Sequence, residues 1–131
     1  MKLLLDTHIF LWSQGMPGRL KDKVKEAISD ANNEIWISPI TIWECLLLAD
    51  KGRIELNPDP ESWIRSQIRR LRPREAPLNM EVALVSRTVD LSHDDPADRF
   101  LAATAIVYGL TFVTADERLL RSKTIEVFPL T

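Results

Sequence analysis

His93-Asp94-Asp95-Pro96-Ala97-Asp98-Arg99-Phe100-Leu101-Ala102-Ala103-Thr104-Ala105 is the stretch on which the fold turns. A proline at the first helical position has no N–H to lose, so Asp95 reads as the N-cap, Pro96 as the first residue and Asp98 as the third. Ala102, Ala103 and Ala105 leave little side chain between this helix and whatever it covers, which suits close packing on a sheet. Gly109 ends the helix, and Thr111-Phe112-Val113-Thr114 follows as a β-branched strand that delivers Asp116 just beyond its end.

The same alternation runs back towards the N-terminus. Lys2 to Asp6 is a short apolar run that stops at a carboxylate, as a strand buried on both faces of a parallel sheet would. Asp6-Thr7-His8 leads into a short helix carrying Ile9, Phe10, Leu11 and Trp12, and an amphipathic surface helix is expected over 19–32. Glu34 to Ile37 is a second strand, and Ser38-Pro39 caps a helix running from Ile40 to about Lys51 with Glu44 inside it. Asp59-Pro60 opens another helix marked by Trp63, Ile64, Ile68 and Leu71. Pro73 and Pro77 bracket an extended link, Asn79 caps a helix bearing Val82, Val85 and Val89, and Ile125, Val127 and Phe128 close the chain as a strand. Strands alternating with helices predict an α/β fold, a central parallel sheet flanked by helices on both faces, in one domain over 1–131.

Composition narrows the function. With 131 residues and 45% hydrophobic content, the chain can fill one full core. No apolar run approaches the roughly 18–20 residues of a membrane span, and the N-terminus lacks a leader pattern, so a soluble cytoplasmic protein with no membrane association is expected. A net charge of −2, from 17 basic and 19 acidic residues, places any polyanion site in a local patch. Cys45, the single cysteine, sits beside Leu46, Leu47 and Leu48 and reads as a small buried hydrophobe without chemistry. One cysteine and two histidines, His8 and His93, exclude a Cys/His zinc framework, and four glycines supply no phosphate loop.

Four carboxylates then stand out. Asp6 and Asp116 fall at the carboxyl ends of strands, where sites form in open parallel sheets; Asp98 lies at a helix N-terminus; Glu44 comes from a helix leaving the same end. The plainer account of each is capping, turn duty or a solvated helix position, and taken singly that account wins more often. Together they predict one acidic cluster. Two carboxylates about 4 Å apart repel by roughly 4 kcal/mol at an effective dielectric near 20, so the cluster needs protons or a divalent cation. Hard oxygen ligands point to Mg²⁺, with Mn²⁺ as a substitute, and to phosphodiester hydrolysis by metal-activated water.

Four segments carry a resemblance: Leu5-Asp6-Thr7-His8 with Leu11-Trp12; Ile37-Ser38 with Ile42-Trp43-Glu44; 93–99 with Leu101-Ala102-Ala103-Thr104-Ala105; and Val113-Thr114-Ala115-Asp116. In this order and at these separations the chain resembles a PIN-domain ribonuclease, in particular the VapC-like toxin of type II toxin–antitoxin pairs. The resemblance implies that Asp6, Glu44, Asp98 and Asp116 are catalytic and form a Mg²⁺ site for cutting RNA. It also implies a cognate antitoxin and a homodimer. Asp95 matches an acid often found beside that site and is open between ligand and cap. Thr7 and Thr114 are expected to hold the Asp side chains or metal waters by hydrogen bonds. Ala97 and the pair Ala103-Thr104 depart from residues common in the family, without removing a ligand.

Other residues receive narrower expectations. Arg99 is read as an RNA-phosphate contact or as the partner of a neighbouring acid, and His8 stays outside the core site. Arg65, Arg69, Arg70, Arg72 and Arg74 read as a solvated face before an RNA track, and Trp12, Trp43 and Trp63 as core or interface anchors. Two rival functions remain: a structure-specific DNA nuclease of related fold, for which 131 residues leave little room, and a receiver-like signalling domain, which wants paired acids after its first strand where Asp6 stands alone. A catalytically silent adaptor would have no use for all four acids.

Overall fold

Five short strands, β1 (Lys2–Leu5), β2 (Glu34–Ile37), β3 (Arg74–Glu75), β4 (Thr111–Val113) and β5 (Val127–Phe128), pair throughout in parallel, in the order β3-β2-β1-β4-β5. They are seen in a computed structural model that describes residues 1–92 and 94–129, so His93, which begins the quoted stretch, lies outside the described residues. Leu3 sits in register with Ile35 on one side and Thr111 on the other, which puts β1 at the centre. The chain turns one way from β1 to β2 and the other way to β4. Such a reversal opens a crevice at the carboxyl ends of the two central strands.

Side chains alternate across β1. Leu3 and Leu5 join one core with Ile9 and Phe10 of α1 (Thr7–Gly15), Val24 and Ala27 of α2 (Asp22–Ser29), Cys45 of α3 (Pro39–Asp50) and Ile64 of α4 (Pro60–Leu71). Leu4 joins the other, with Leu101, Ala102 and Ala105 of α6 (Pro96–Tyr108) and Leu119 of α7 (Glu117–Leu120). The α5 helix (Met80–Ser86) packs against α6. Helices therefore cover both faces, as expected, and each fully buried leucine or phenylalanine contributes on the order of 1.5–3 kcal/mol. Ala102 and Ala103 are wholly buried, the close approach to the sheet that their size permits.

Capping residues act where the sequence placed them. Ser38 Oγ accepts from Ile40 N–H at 3.0 Å, Asp59 from Ser62 N–H at 2.9 Å and Asn79 from Val82 N–H at 3.0 Å. Gly109 ends α6 in the left-handed region, φ 65°, a conformation that costs a side-chain-bearing residue about 1 kcal/mol.

Two expectations need correction. The extended link after Pro73 contains an edge strand, β3, whose pairing continues as Ala76 N–H donates to Ile37 O at 2.9 Å. Two residues between prolines carry no periodicity, and only the distant β2 makes them a strand. The surface helix expected over 19–32 is divided into a 3₁₀ turn at Pro17–Arg19 and α2, because Pro17 and Gly18 start the turn before the helix begins. Trp43, expected as a core or interface anchor, is 54% exposed on α3 and outside both cores, which leaves the interface alternative.

Candidate active site

Asp6 is the first residue past β1. Its N–H donates to Val113 O at 2.9 Å, one step beyond the regular β1–β4 pairing, and its carboxylate caps α1 by accepting from Thr7 N–H at 2.8 Å. Two buried threonines hold the neighbouring acids to it. Thr114, just after β4, donates its hydroxyl to Asp6 Oδ2 at 2.7 Å and accepts from Asp116 N–H at 3.0 Å. Thr7 donates its hydroxyl to Glu44 Oε1. A continuous run, Glu44 to Thr7 to Asp6 to Thr114 to Asp116, thus joins α3, the start of α1 and the residues just past β1 and β4 at one sheet end.

The fourth acid arrives from α6. Asp95 caps that helix, its Oδ1 accepting from Asp98 N–H at 3.0 Å, so Asp98 is held one turn inside the helix mouth. Asp6, Glu44, Asp95, Asp98 and Asp116 all line a single open cleft of about 440 Å³, together with Thr7, His8, Trp12 and Arg118. Asp116 caps α7 by accepting from Arg118 N–H at 2.8 Å. The same Arg118 returns its guanidinium to Asp116, Nη2 to Oδ2 2.9 Å and Nε to Oδ1 3.2 Å, and reaches Asp98 Oδ2 at 3.9 Å. The α7 arginine stands inside the acid cluster as its own cation. Sequence inspection passed over it; the available signal was its place two residues after a strand-end acid, in the first turn of a helix.

Electrostatics follow from this enclosure. Burial pushes the Asp6 carboxyl up to about 6, against the lowering effect of its Thr114 and Thr7 hydrogen bonds, and Asp98 raises it further. Glu44 is also raised, first by burial and then by the charges of Asp6, Asp98 and Asp95, with the Thr7 bond opposing. Cys45, by contrast, is a fully buried thiol that burial raises to about 12, an inert core group.

The donor set fits a hard divalent ion: it is all carboxylate and hydroxyl oxygen, it opens to solvent, and two of its acids are held at raised pKa, first by burial and then by the charge of the neighbouring acids. Among the described residues, no three His, Cys, Asp or Glu converge tightly enough to hold an ion by themselves. Asp95 and Asp116 are turned to their caps, and Asp116 to Arg118. Mg²⁺ usually takes one or two carboxylates directly and keeps several waters, which this looser arrangement suits better than a closed cage.

Arg99 is a correction. Its guanidinium is turned inward, 9% exposed, donating to Ser86 O at 2.9 Å, Val89 O at 3.0 Å and Arg87 O at 3.3 Å, with Asp94 Oδ1 at 3.8 Å. Asp94 realises the neighbouring-acid alternative, while the RNA-phosphate alternative is excluded by burial: the side chain ties the end of α5 to α6. His8 lies exposed at the rim of the cleft with its ring 5.6 Å from that of Trp12.

An all-parallel α/β domain with an acidic cleft at its switch point defines a class of protein, and comparisons place the chain in one. The PIN domain family model matches residues 3–124. Ribonuclease VapC22 of Mycobacterium tuberculosis is 34% identical over 118 residues, which cover 89% of this chain and 88% of that protein. Among solved structures, VapBC2 from Rickettsia felis bound to a promoter DNA fragment shares the fold at a TM-score of 0.75 and 17% identity, covering 97% of each chain. FitAcB from Neisseria gonorrhoeae does so at 0.66 and 22%, covering 98% of this chain and 97% of the other. The chain belongs to the PIN-domain family, among its VapC-like members.

Proposed function

We propose that this chain is a Mg²⁺-dependent endoribonuclease, the toxin of a type II toxin–antitoxin pair, acting as a cytoplasmic homodimer restrained by a cognate antitoxin. The observation that carries the reading is the meeting of Asp6, Glu44, Asp98 and Asp116, drawn from four distant segments, in one cleft at the sheet's switch point. Its support from relatives is a ribonuclease 34% identical across most of the chain, and neighbouring structures described as VapBC assemblies.

These four acids would hold the ion and its waters, with Asp95 occupied as a cap. A bound divalent ion would supply an acidified water and stabilise the leaving oxygen of a phosphodiester. The chain's own work is positional. Thr114 fixes the Asp6 carboxylate and the Asp116 backbone together, and Thr7 fixes Glu44 against Asp6, so the acids present oxygens whose rotamers are already decided. Incubation with single-stranded RNA and Mg²⁺ is expected to yield fragments, with cleavage stopped by EDTA and by Asp98→Asn in a folded protein. Wild-type cleavage by Asp98→Asn, or cutting of flap DNA in preference to RNA, would overturn the reading.

Arg118 competes with the ion for the same oxygens. The pair is exposed and therefore weak, so Arg118→Met is expected to bind Mn²⁺ only severalfold more tightly than wild type. Mn²⁺ titration followed by electron paramagnetic resonance measures this directly. Unchanged or weaker binding would show that the guanidinium does not oppose the metal.

A further inference from the structure

Beside the acidic cleft, and sharing Trp12 and Ala115 with it as a common wall, lies a groove of about 360 Å³ between the start of α2 and α7. Arg19, Lys21 and Arg121 line it, with Glu117 as its one acid. Among the described residues none of the three cations is held in an ion pair. Arg19 is instead poised over Trp12, its guanidinium carbon 5.2 Å from the ring centroid.

A polyanion meets opposed fields here. Five carboxylates and one arginine face the acidic cleft, so a nucleic-acid strand entering it is repelled, and one divalent ion offsets only part of that charge. Binding free energy has to come from cations within a few ångströms of the cleft. The arginines of α4 do not serve, since that helix lines neither space, Arg65 is paired with Glu61 at 3.2 Å, and Arg74 beyond the helix with Glu34 at 3.4 Å. We infer that the Arg19, Lys21 and Arg121 groove carries the backbone of a single-stranded RNA on one side of the scissile phosphate, with Trp12 at the junction. The inference deepens the nuclease reading and rests on it. The Arg19 guanidinium, lying over the half-buried Trp12 ring, presents a planar cation at the junction that can meet a phosphate or an unstacked base.

The test measures binding of a fluorescein-labelled single-stranded RNA by anisotropy in EDTA, across a range of salt concentrations. Each phosphate contact on a single strand contributes about 0.7 to the slope of log affinity against log salt, so Arg19→Gln, Lys21→Gln and Arg121→Gln combined are expected to flatten that slope by about 2. A combined Arg65→Gln, Arg69→Gln and Arg70→Gln variant is expected to leave it unchanged, and circular dichroism confirms that both triples are folded. Equal slopes for wild type and the groove triple, or equal flattening by the two triples, would overturn the inference. Loss of binding to an acidic peptide by the groove triple, with RNA binding intact, would overturn it too and assign the groove to a protein partner. Wild-type protein that neither binds nor cleaves RNA would sink the nuclease reading itself, whereas a cleaving wild type whose groove triple binds RNA normally sinks only the groove.

Discussion

Asp6→Asn is expected to lower RNA cleavage by about 1000-fold or more while making the metal-free protein more stable above pH 6. The activity loss follows if several kcal/mol of metal-borne stabilisation depend on this carboxylate, each 1.4 kcal/mol being tenfold in rate. The stability gain follows from burial. In the folded chain Asp6 titrates at about 6, against 3.8 when unperturbed. Between those values the unfolded chain has lost its proton and the folded chain keeps it, so folded protein binds more protons and stability falls as pH rises. The full stability is present below about pH 4 and the loss is complete somewhat above pH 6. About two pH units at about 1.4 kcal/mol each sets the loss near 3 kcal/mol. Asparagine avoids that loss but accepts only one of the two hydrogen bonds from Thr7 and Thr114, which costs about 1 kcal/mol. A net gain of about 2 kcal/mol is therefore expected at pH 8, turning into a net loss of about 1 kcal/mol near pH 4, where only the hydrogen-bond cost remains. Urea unfolding of both proteins in EDTA at the two pH values checks it. Added Mg²⁺ should reverse the order, because it binds the folded wild type and not the variant. Equal metal-free stability at pH 8 would show that Asp6 is not held under strain.

Arg99→Met is expected to destabilise the fold by roughly 3 kcal/mol or more, without a specific loss of cleavage per folded molecule. Its guanidinium is enclosed and donates to three backbone carbonyls at the end of α5 and just after it, Ser86, Arg87 and Val89. Methionine fills much of the stem's volume and supplies no donor, so buried acceptors are left unpaired at about 1–3 kcal/mol each. Denaturant midpoints measure the loss, and activity normalised to the folded fraction separates it from a substrate role. A stable variant that cleaves poorly would instead return Arg99 to the RNA contact read from sequence. That expectation was reasonable for an arginine next to Asp98. It fails because helical position alone does not say which face of α6 meets α5.

What the sequence settled by itself was local or periodic. Pro96 after Asp95, Pro39 after Ser38 and Pro60 after Asp59 marked three helix starts, since a proline without an N–H and a short oxygen acceptor solve the same terminal problem. Uninterrupted Leu3-Leu4-Leu5 announced a strand buried on both faces, and strands alternating with helices announced a parallel sheet. The placement of Asp6 and Asp116 at strand ends, and Asp98 at a helix mouth, was legible for the same reason. Tertiary structure alone decided what depends on partners far along the chain. It made β3 a strand through β2, turned Arg99 into the core, gave the Thr7 hydroxyl to Glu44 and not to an aspartate, and brought the Arg118 guanidinium to Asp98. It also laid Arg19, Lys21 and Arg121 along one groove, though more than a hundred positions separate the first from the last. Backbone propensities act within a turn or two, whereas charge and hydrogen bonding act through space, and only the folded chain fixes which groups are near enough to feel one another.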